Sequence, residues 1–173
     1  TGQLWVMYDL VFGGFGGRVD TDGPEALCPV FNCANIPIEV HEANNPVRIR
    51  RLELIPDSGG AGKFRGGCGM RKDVEILSDN SRVTLLGDRH VHPPYGLFGG
   101  APGRRAETIL NPDTDAIALG SKEVRALKRG DVVSFRLAGA GGYGEARHRD
   151  PAKIRKDVRD GYVSEAAARE TYK

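Results

Sequence analysis

The apolar positions of this chain come in short bursts, and most bursts alternate with period two. Residues 4–12, Leu-Trp-Val-Met-Tyr-Asp-Leu-Val-Phe, are apolar and aromatic and run into glycines, which predicts a buried strand. Residues 47–55 alternate, but the phase slips: Val47 and Ile49 share one parity, Leu52 and Leu54 the other. One extra residue at Arg50-Arg51, a β-bulge, would return all four side chains to one face. Residues 73–78 and 82–88 flank Ser78-Asp79-Asn80-Ser81, which predicts a hairpin. Lys128-Arg129-Gly130-Asp131 predicts a turn into a strand over 132–138, with Val133, Phe135 and Leu137 on one face. Between the first two bursts, residues 13–46 are rich in Pro and Asn and predict loop, with one short extended piece over Ile36–His41.

Near the C-terminus the period changes. Asp150-Pro151 has the form of an N-cap followed by proline at the first helical position. Ile154 and Val158 are spaced i, i+4, and Gly161 suits the C′ position that ends a helix. Ser164 then predicts the cap of a second short helix. The expected architecture is mainly β: an antiparallel, sandwich-like domain over 1–149 with glycine-rich loops, and a short α-helical tail over 150–173.

Glycine changes the picture most. The chain has 24 glycines in 173 residues, about twice the average frequency of ~7%. They cluster at 13–17, 59–69, 99–100 and 139–144. No packed helix or regular strand requires such density; close backbone approach does. The longest glycine-rich run, Ile55 to Met70, also holds Asp57, Ser58, Lys63 and Arg65. Net charge is +2 with scattered basic residues, so the basic face of a nucleic-acid binder is missing. No apolar run approaches the ~20 residues that span a bilayer, and the opening Thr-Gly-Gln-Leu-Trp reads as the interior of a longer protein. Three cysteines, Cys28, Cys33 and Cys68, fit neither a disulfide framework nor a zinc ribbon, and reduced thiols imply a cytoplasmic setting.

Several motifs carry candidate chemistry. Gly59 to Lys63 suggests a phosphate loop, but Asp57 and Phe64 stand where the Walker pattern needs glycine and a hydroxyl. Gly139-Ala-Gly-Gly-Tyr-Gly144 has dinucleotide spacing but no helix opens directly after it. Asp88, His90 and His92 at i, i+2, i+4 would share one face of a strand and are a weak candidate metal set, beside the plainer reading of an Asp88-Arg89 pair at a strand end. Cys68, beside Arg65, Arg71 and Lys72, is either an activated thiol or, as preferred here, a small residue in a tight loop. Asp57 is expected to cap loop amides or to pair with Arg65. His41 and His148 read as surface or hydrogen-bonded histidines.

The ordered set of motifs resembles the hydantoinase B/oxoprolinase family. The matching residues are Gly13-Gly-Phe-Gly-Gly-Arg18 with Asp22-Gly23, Asn35-Ile-Pro-Ile-Glu-Val-His-Glu42, Asp57-Ser-Gly-Gly-Ala-Gly-Lys-Phe-Arg-Gly-Gly67, Asp88-Arg89, Pro94-Tyr-Gly-Leu-Phe-Gly-Gly-Ala-Pro-Gly103, Gly130-Asp131 and Gly139 to Gly144. The resemblance implies the C-terminal part of such a protein, related also to acetone and acetophenone carboxylase subunits. It implies partners: a hydantoinase A-type subunit that binds ATP, and the N-terminal part of hydantoinase B, which carries the family's metal-binding His and Asp residues. On that reading this chain binds no cofactor itself, ATP and a divalent metal belong elsewhere in the complex, and no metal site maps to Asp88, His90 or His92. The implied reaction is ATP-dependent hydrolysis of a cyclic amide, or carboxylation of a ketone. Asp57, Ser58, Arg65, Asp88 and Arg89 are the candidates for polar contacts with substrate or partner; catalytic residues stay unassigned. Asp9 stands where relatives usually carry glutamate, and Ala140 interrupts the usual glycine run.

Overall fold

The computed structural model describes residues 4–27 and 35–173. Cys28 and Cys33 lie outside the described residues. The elements are α1 (Ile38–Asn44), β1 (Val47–Leu54), β2 (Met70–Ile76), β3 (Ser81–Leu86), β4 (Glu107–Leu110), β5 (Ile117–Leu119), β6 (Lys122–Leu127), β7 (Val132–Arg136), a 3₁₀ turn (Ala146–His148), α2 (Pro151–Arg159) and α3 (Glu165–Thr171). All described strand pairs are antiparallel. Five strands form one sheet in the order β1-β2-β7-β4-β5, and β3 and β6 form a second, two-stranded sheet. The mainly β, antiparallel fold with helices at the C-terminal end is as the alternation predicts.

The core lies between the two sheets. Val47, Val74, Ile76, Leu110, Leu119 and Val133 of the larger sheet meet Leu85 and Leu127 of the smaller one. The bulge is present: the β1–β2 register shifts between Ile49 and Arg51. Val47, Ile49, Leu52 and Leu54 therefore face the same side as Ile76, Val74, Lys72 and Met70, their partners across the pair. The opposite face of the sheet is charged. There Arg50 pairs with Glu75 at 2.9 Å and Arg71 with Asp73 at 2.7 Å.

Three expected elements differ. Residues 4–12 are not a buried strand: they alternate, but pair with no described strand, and only one face is covered. Trp5 and Met7 pack on the core, whereas Leu4, Val6 and Tyr8 point outward. Residues 38–44 are helical, not extended, with Pro37 at the N-cap and His41 as the buried anchor. The predicted hairpin is also absent. The turn itself exists, with Asn80 at φ 56° and the hydroxyls of Ser78 and Ser81 2.8 Å apart. However, both edges of β2 are already occupied by β1 and β7, so β3 joins β6 in the other layer.

The remaining half has few side chains inside it. Segments 13–17, 22–24, 59–67, 94–103 and 138–144 run without regular ladders and hydrogen-bond to one another through the backbone. Examples are Gly17 N–H to Gly141 O (2.9 Å), Gly60 N–H to Ala140 O (2.7 Å), Gly67 N–H to Phe15 O (2.8 Å) and Gly142 N–H to Ala101 O (2.9 Å). A Cβ on Gly139 would stand 1.9 Å from Ser58 O, and one on Gly141 1.8 Å from Tyr95 O. Neither glycine has a positive φ. Glycine is required there by space, the same steric rule that places it at the collagen axis.

The helical tail closes one side of this layer. The Asp150 carboxylate accepts from Ala152 N–H (2.8 Å), Ser164 Oγ accepts from Ala167 N–H (3.1 Å), and Gly161 adopts φ 80°, all as expected. The anchor of α2 is not the Ile154/Val158 stripe, which is half-buried, but Asp157, at 5% exposure. Among the described residues no helix is long and apolar enough to cross a membrane.

Candidate functional site

A cleft of about 540 Å³ lies over the glycine layer. Its floor is the backbone of 13–17 and 138–142, and its walls include Leu86, Asp88, Arg89 and Tyr95. This placement follows from the local sequence. β3 ends at Leu86, and Pro93-Pro94 forbids a regular strand beyond it. In between, Arg89 takes φ 64°, a left-handed turn whose carbonyl accepts from Ala106 N–H (3.0 Å). Asp88 and Arg89 are both exposed, and neither has an ion-pair partner among the described residues.

An acid and a guanidinium, neither ion-paired among the described residues, thus stand side by side on one cleft wall. The guanidinium fork suits a carboxylate, phosphate or developing oxyanion, and the carboxylate accepts from an N–H. The floor adds closely packed peptide groups with no side chain to intervene. The apolar side chains at its rim are open to solvent: Leu86, Tyr95 and Leu97 are 86%, 72% and 47% exposed.

The structure separates the five candidates. Asp88 and Arg89 reach the cleft; Asp57, Ser58 and Arg65 lie within the scaffold that supports it. The Asp57 carboxylate neither caps the loop nor pairs with Arg65. It accepts from Ser164 N–H (2.7 Å), and its own amide donates to Tyr162 O (3.0 Å), tying the glycine loop to the tail. Ser58 is fully buried; its hydroxyl donates to Ile55 O (2.5 Å) and accepts from Gly69 N–H (2.8 Å). Arg65 is 3% exposed, bonds Glu25 at 2.6 Å and the Gly66 carbonyl at 2.6 Å, and stacks on Tyr162 at 4.9 Å.

Arg65 belongs to a buried chain of alternating charges that the sequence reading missed. Its Nε is 3.6 Å from Asp157 Oδ1. Asp157 Oδ2 accepts from Arg149 Nη2 (2.6 Å), and Arg149 Nη1 donates to Asp22 Oδ1 (2.6 Å). The side chain of Arg149 is fully enclosed. Burial disfavours the charged forms, but the opposing charges outweigh it: Glu25 raises the Arg65 pKa, Asp22 and Asp157 raise that of Arg149, and Arg149 holds Asp22 below the usual carboxylate range. Asp22-Gly23 and Arg65, both within the family motifs, were the sequence signs of this network.

Cys68 sits inside the same region, fully buried, with Sγ 3.6 Å from Tyr162 O. Burial, aided by Glu25, pushes its thiol up to about 11, despite the neighbouring Arg65. It is a packed residue rather than an activated nucleophile. The amides of Gly60, Lys63, Phe64 and Gly66 all donate to carbonyls of the chain itself, so they are not free to cradle a phosphate. Asp88, His90 and His92 do not converge. His90 spends Nδ1 on Asp88 O (3.1 Å) and Nε2 on Thr108 Oγ1 (3.2 Å), and His92 is exposed. Among the described residues no three His, Cys, Asp or Glu side chains are arranged to hold a metal. His148 is exposed, as expected. His41 is 3% exposed, with Nε2 3.3 Å from Asp9 Oδ1; the other oxygen of Asp9 bonds Lys72 at 2.6 Å.

Comparison with known proteins identifies the family. Residues 1–146 match the sequence profile of the hydantoinase B/oxoprolinase family. A protein of Methanocaldococcus jannaschii is 38% identical over 173 residues, 99% of this chain and 31% of the relative. The B-type component of a putative D-/L-hydantoinase from a Pseudomonas species is 32% identical over 170 residues, 96% of this chain and 28% of the relative. Among solved structures, the ATP-dependent caprolactamase of Pseudomonas jessenii superposes with a TM-score of 0.80 at 28% identity, over 94% of this chain and 29% of that one. Nucleotide-free acetone carboxylase does so at 0.80 and 21% identity, over 92% and 26%, a likeness of fold alone. The chain thus spans less than a third of each of these proteins. It belongs to the hydantoinase B/oxoprolinase family.

Proposed function

We propose that this chain is one part of an ATP-dependent enzyme that opens a cyclic amide, and that it supplies one wall of the substrate cleft through Asp88 and Arg89. The observation that carries the reading is an acid and a base, neither ion-paired among the described residues, on a glycine-floored cleft whose apolar rim side chains are open to solvent. The expected partners are a hydantoinase A-type ATP-binding subunit and the N-terminal part of hydantoinase B, acting together in the cytoplasm. ATP, bound by the partner, supplies activation of the ring carbonyl, which amide resonance otherwise makes a poor electrophile. This chain then orients the ring. Asp88 accepts from a ring N–H, and Arg89 faces the oxygen on which negative charge develops, where electrostatic stabilisation is worth most. The packed floor keeps side chains and water from one face of the ring.

The test uses the assembled enzyme. Arg89→Ala should lower ring-opening at least about 100-fold, the scale of losing one oxyanion-stabilising group, while native mass spectrometry shows the complex intact. The chain alone should neither hydrolyse ATP nor open a ring; robust stand-alone turnover overturns the proposal. A second reading, a non-catalytic assembly module, draws on the outward apolar row Leu4, Val6 and Tyr8. It predicts that Arg89→Ala leaves turnover unchanged.

A further inference from the structure

Residues 4–11 have the properties of a β-strand that lacks neighbours among the described residues. Their side chains alternate across the segment. Trp5 and Met7 pack on the core, and Asp9 is fixed over the larger sheet by Lys72 (2.6 Å). Leu4, Val6 and Tyr8 face outward at 88%, 82% and 78% exposure. The backbone of 4–12 makes no hydrogen bond with another described residue. The segment therefore alternates like a strand, is largely apolar, and has no backbone partner among the described residues.

Natural free edges are usually guarded by lysine, proline, a bulge or a charge. None guards this one: its outward face carries no charge, and its one acid is neutralised from below. Such a strand is a template for β-addition, in which the backbone supplies affinity and alternate side chains supply specificity. The relatives indicate the occupant. In them the region matching this chain is under a third of a polypeptide that continues well beyond it.

We infer that residues 4–11 pair with a β-strand from the remainder of the hydantoinase B polypeptide, and that an apolar layer of that same part covers Leu4, Val6 and Tyr8. This rests on the reading of the chain as one part of a larger enzyme, and it adds which segment makes the joint and by what chemistry. Hydrogen–deuterium exchange on the chain alone and in the assembled enzyme tests it. The amides of 5–11 should exchange freely in the isolated chain and at least 100-fold more slowly in the complex. A Val6→Asp/Tyr8→Asp variant should bind the rest of the enzyme at least ten-fold more weakly with an unchanged circular dichroism spectrum, because both positions are exposed in the chain itself. If the chain joins the complex while 5–11 still exchange freely, the strand pairing is wrong and the part-enzyme reading stands. If it joins no larger protein, both fall. If 5–11 are protected in the isolated chain at the mass of a dimer, a second copy is the occupant and the inference is overturned.

Discussion

The two halves of this molecule are packed by opposite means. Between the sheets, side chains fill the space: Val47, Val74, Ile76 and Val133 interdigitate with Leu85 and Leu127, and glycine is scarce. Beneath the cleft, closely approaching peptide backbone fills much of the space, and at glycines such as Gly139 and Gly141 a side chain is an obstruction. A side-chain core tolerates change by repacking, because rotamers and volumes can adjust. A backbone core has no rotamers to adjust. The cleft therefore rests on the less forgiving half, which suits a floor that must keep its shape while Asp88 and Arg89 work above it.

The largest expected effect comes from adding one methyl group to that floor. In Gly139→Ala the new Cβ meets Ser58 O at 1.9 Å, Ser58 C at 2.2 Å and Gly59 N at 2.7 Å, all of them backbone. Relief would require segment 58–60 to leave its hydrogen bonds with Ala140 and Arg104. The cost should exceed about 5 kcal/mol, enough to consume the stability of a typical domain. Urea titration followed by circular dichroism should find no folded baseline; a cooperative transition near the unsubstituted midpoint would show that the layer can breathe.

Next comes the charge chain that joins the floor to the tail. Arg149→Met leaves Asp22 and Asp157 without their shared cation, and removing one partner of a buried pair costs about 3–5 kcal/mol. The expected signature is a lower urea midpoint with α2 and α3 exchanging early. Acid should weaken the same joint. Asp22 has a folded pKa below its ordinary 3.8, so the unfolded chain takes up the proton first as pH drops. The stability it contributes is fully present above about pH 4 and is lost as pH falls towards the lower folded value. Asp22→Asn should flatten that part of the pH profile; an unchanged slope would place the acid sensitivity elsewhere.

How much was legible in the sequence follows the same division. Where side chains do the packing, their order can be read: the phase slip at Arg50-Arg51, the turn at Gly130, and the caps Asp150 and Ser164 all reappear in the structure. Helix α1 escaped because seven residues give too little periodicity, and its one buried anchor, His41, is polar. The false hairpin came from a genuine turn whose flanking strands had other partners. In the glycine half, composition announced close approach but not which segments approach. The partners there are distant: Arg65 meets Glu25 across 40 positions and Arg149 meets Asp22 across 127. Asp57 and Arg65 share a loop, which suggested a pair, yet their side chains serve different ends of the tail. Of the five candidate contact residues, only Asp88 and Arg89 are placed at the cleft.

The smallest expected effect sharpens the contrast, because it concerns another glycine outside the backbone-packed layer. Gly130 turns the chain into β7 with φ 89°, and a Cβ added there would meet nothing within 4 Å. Gly130→Ala is thus opposed only by the dihedral, a cost of about 1–2 kcal/mol for an L-residue in the left-handed region. Gly139 presents the reverse case, an ordinary φ with no room. The Gly130 variant should fold, show a modestly lower urea midpoint with an unchanged denaturant slope, and keep the backbone bond from Gly130 N–H to Ile76 O that closes the turn at 2.8 Å. Equal penalties at the two positions would mean that conformational freedom, rather than space, governs both, and the division of the molecule into side-chain and backbone cores would lose its basis.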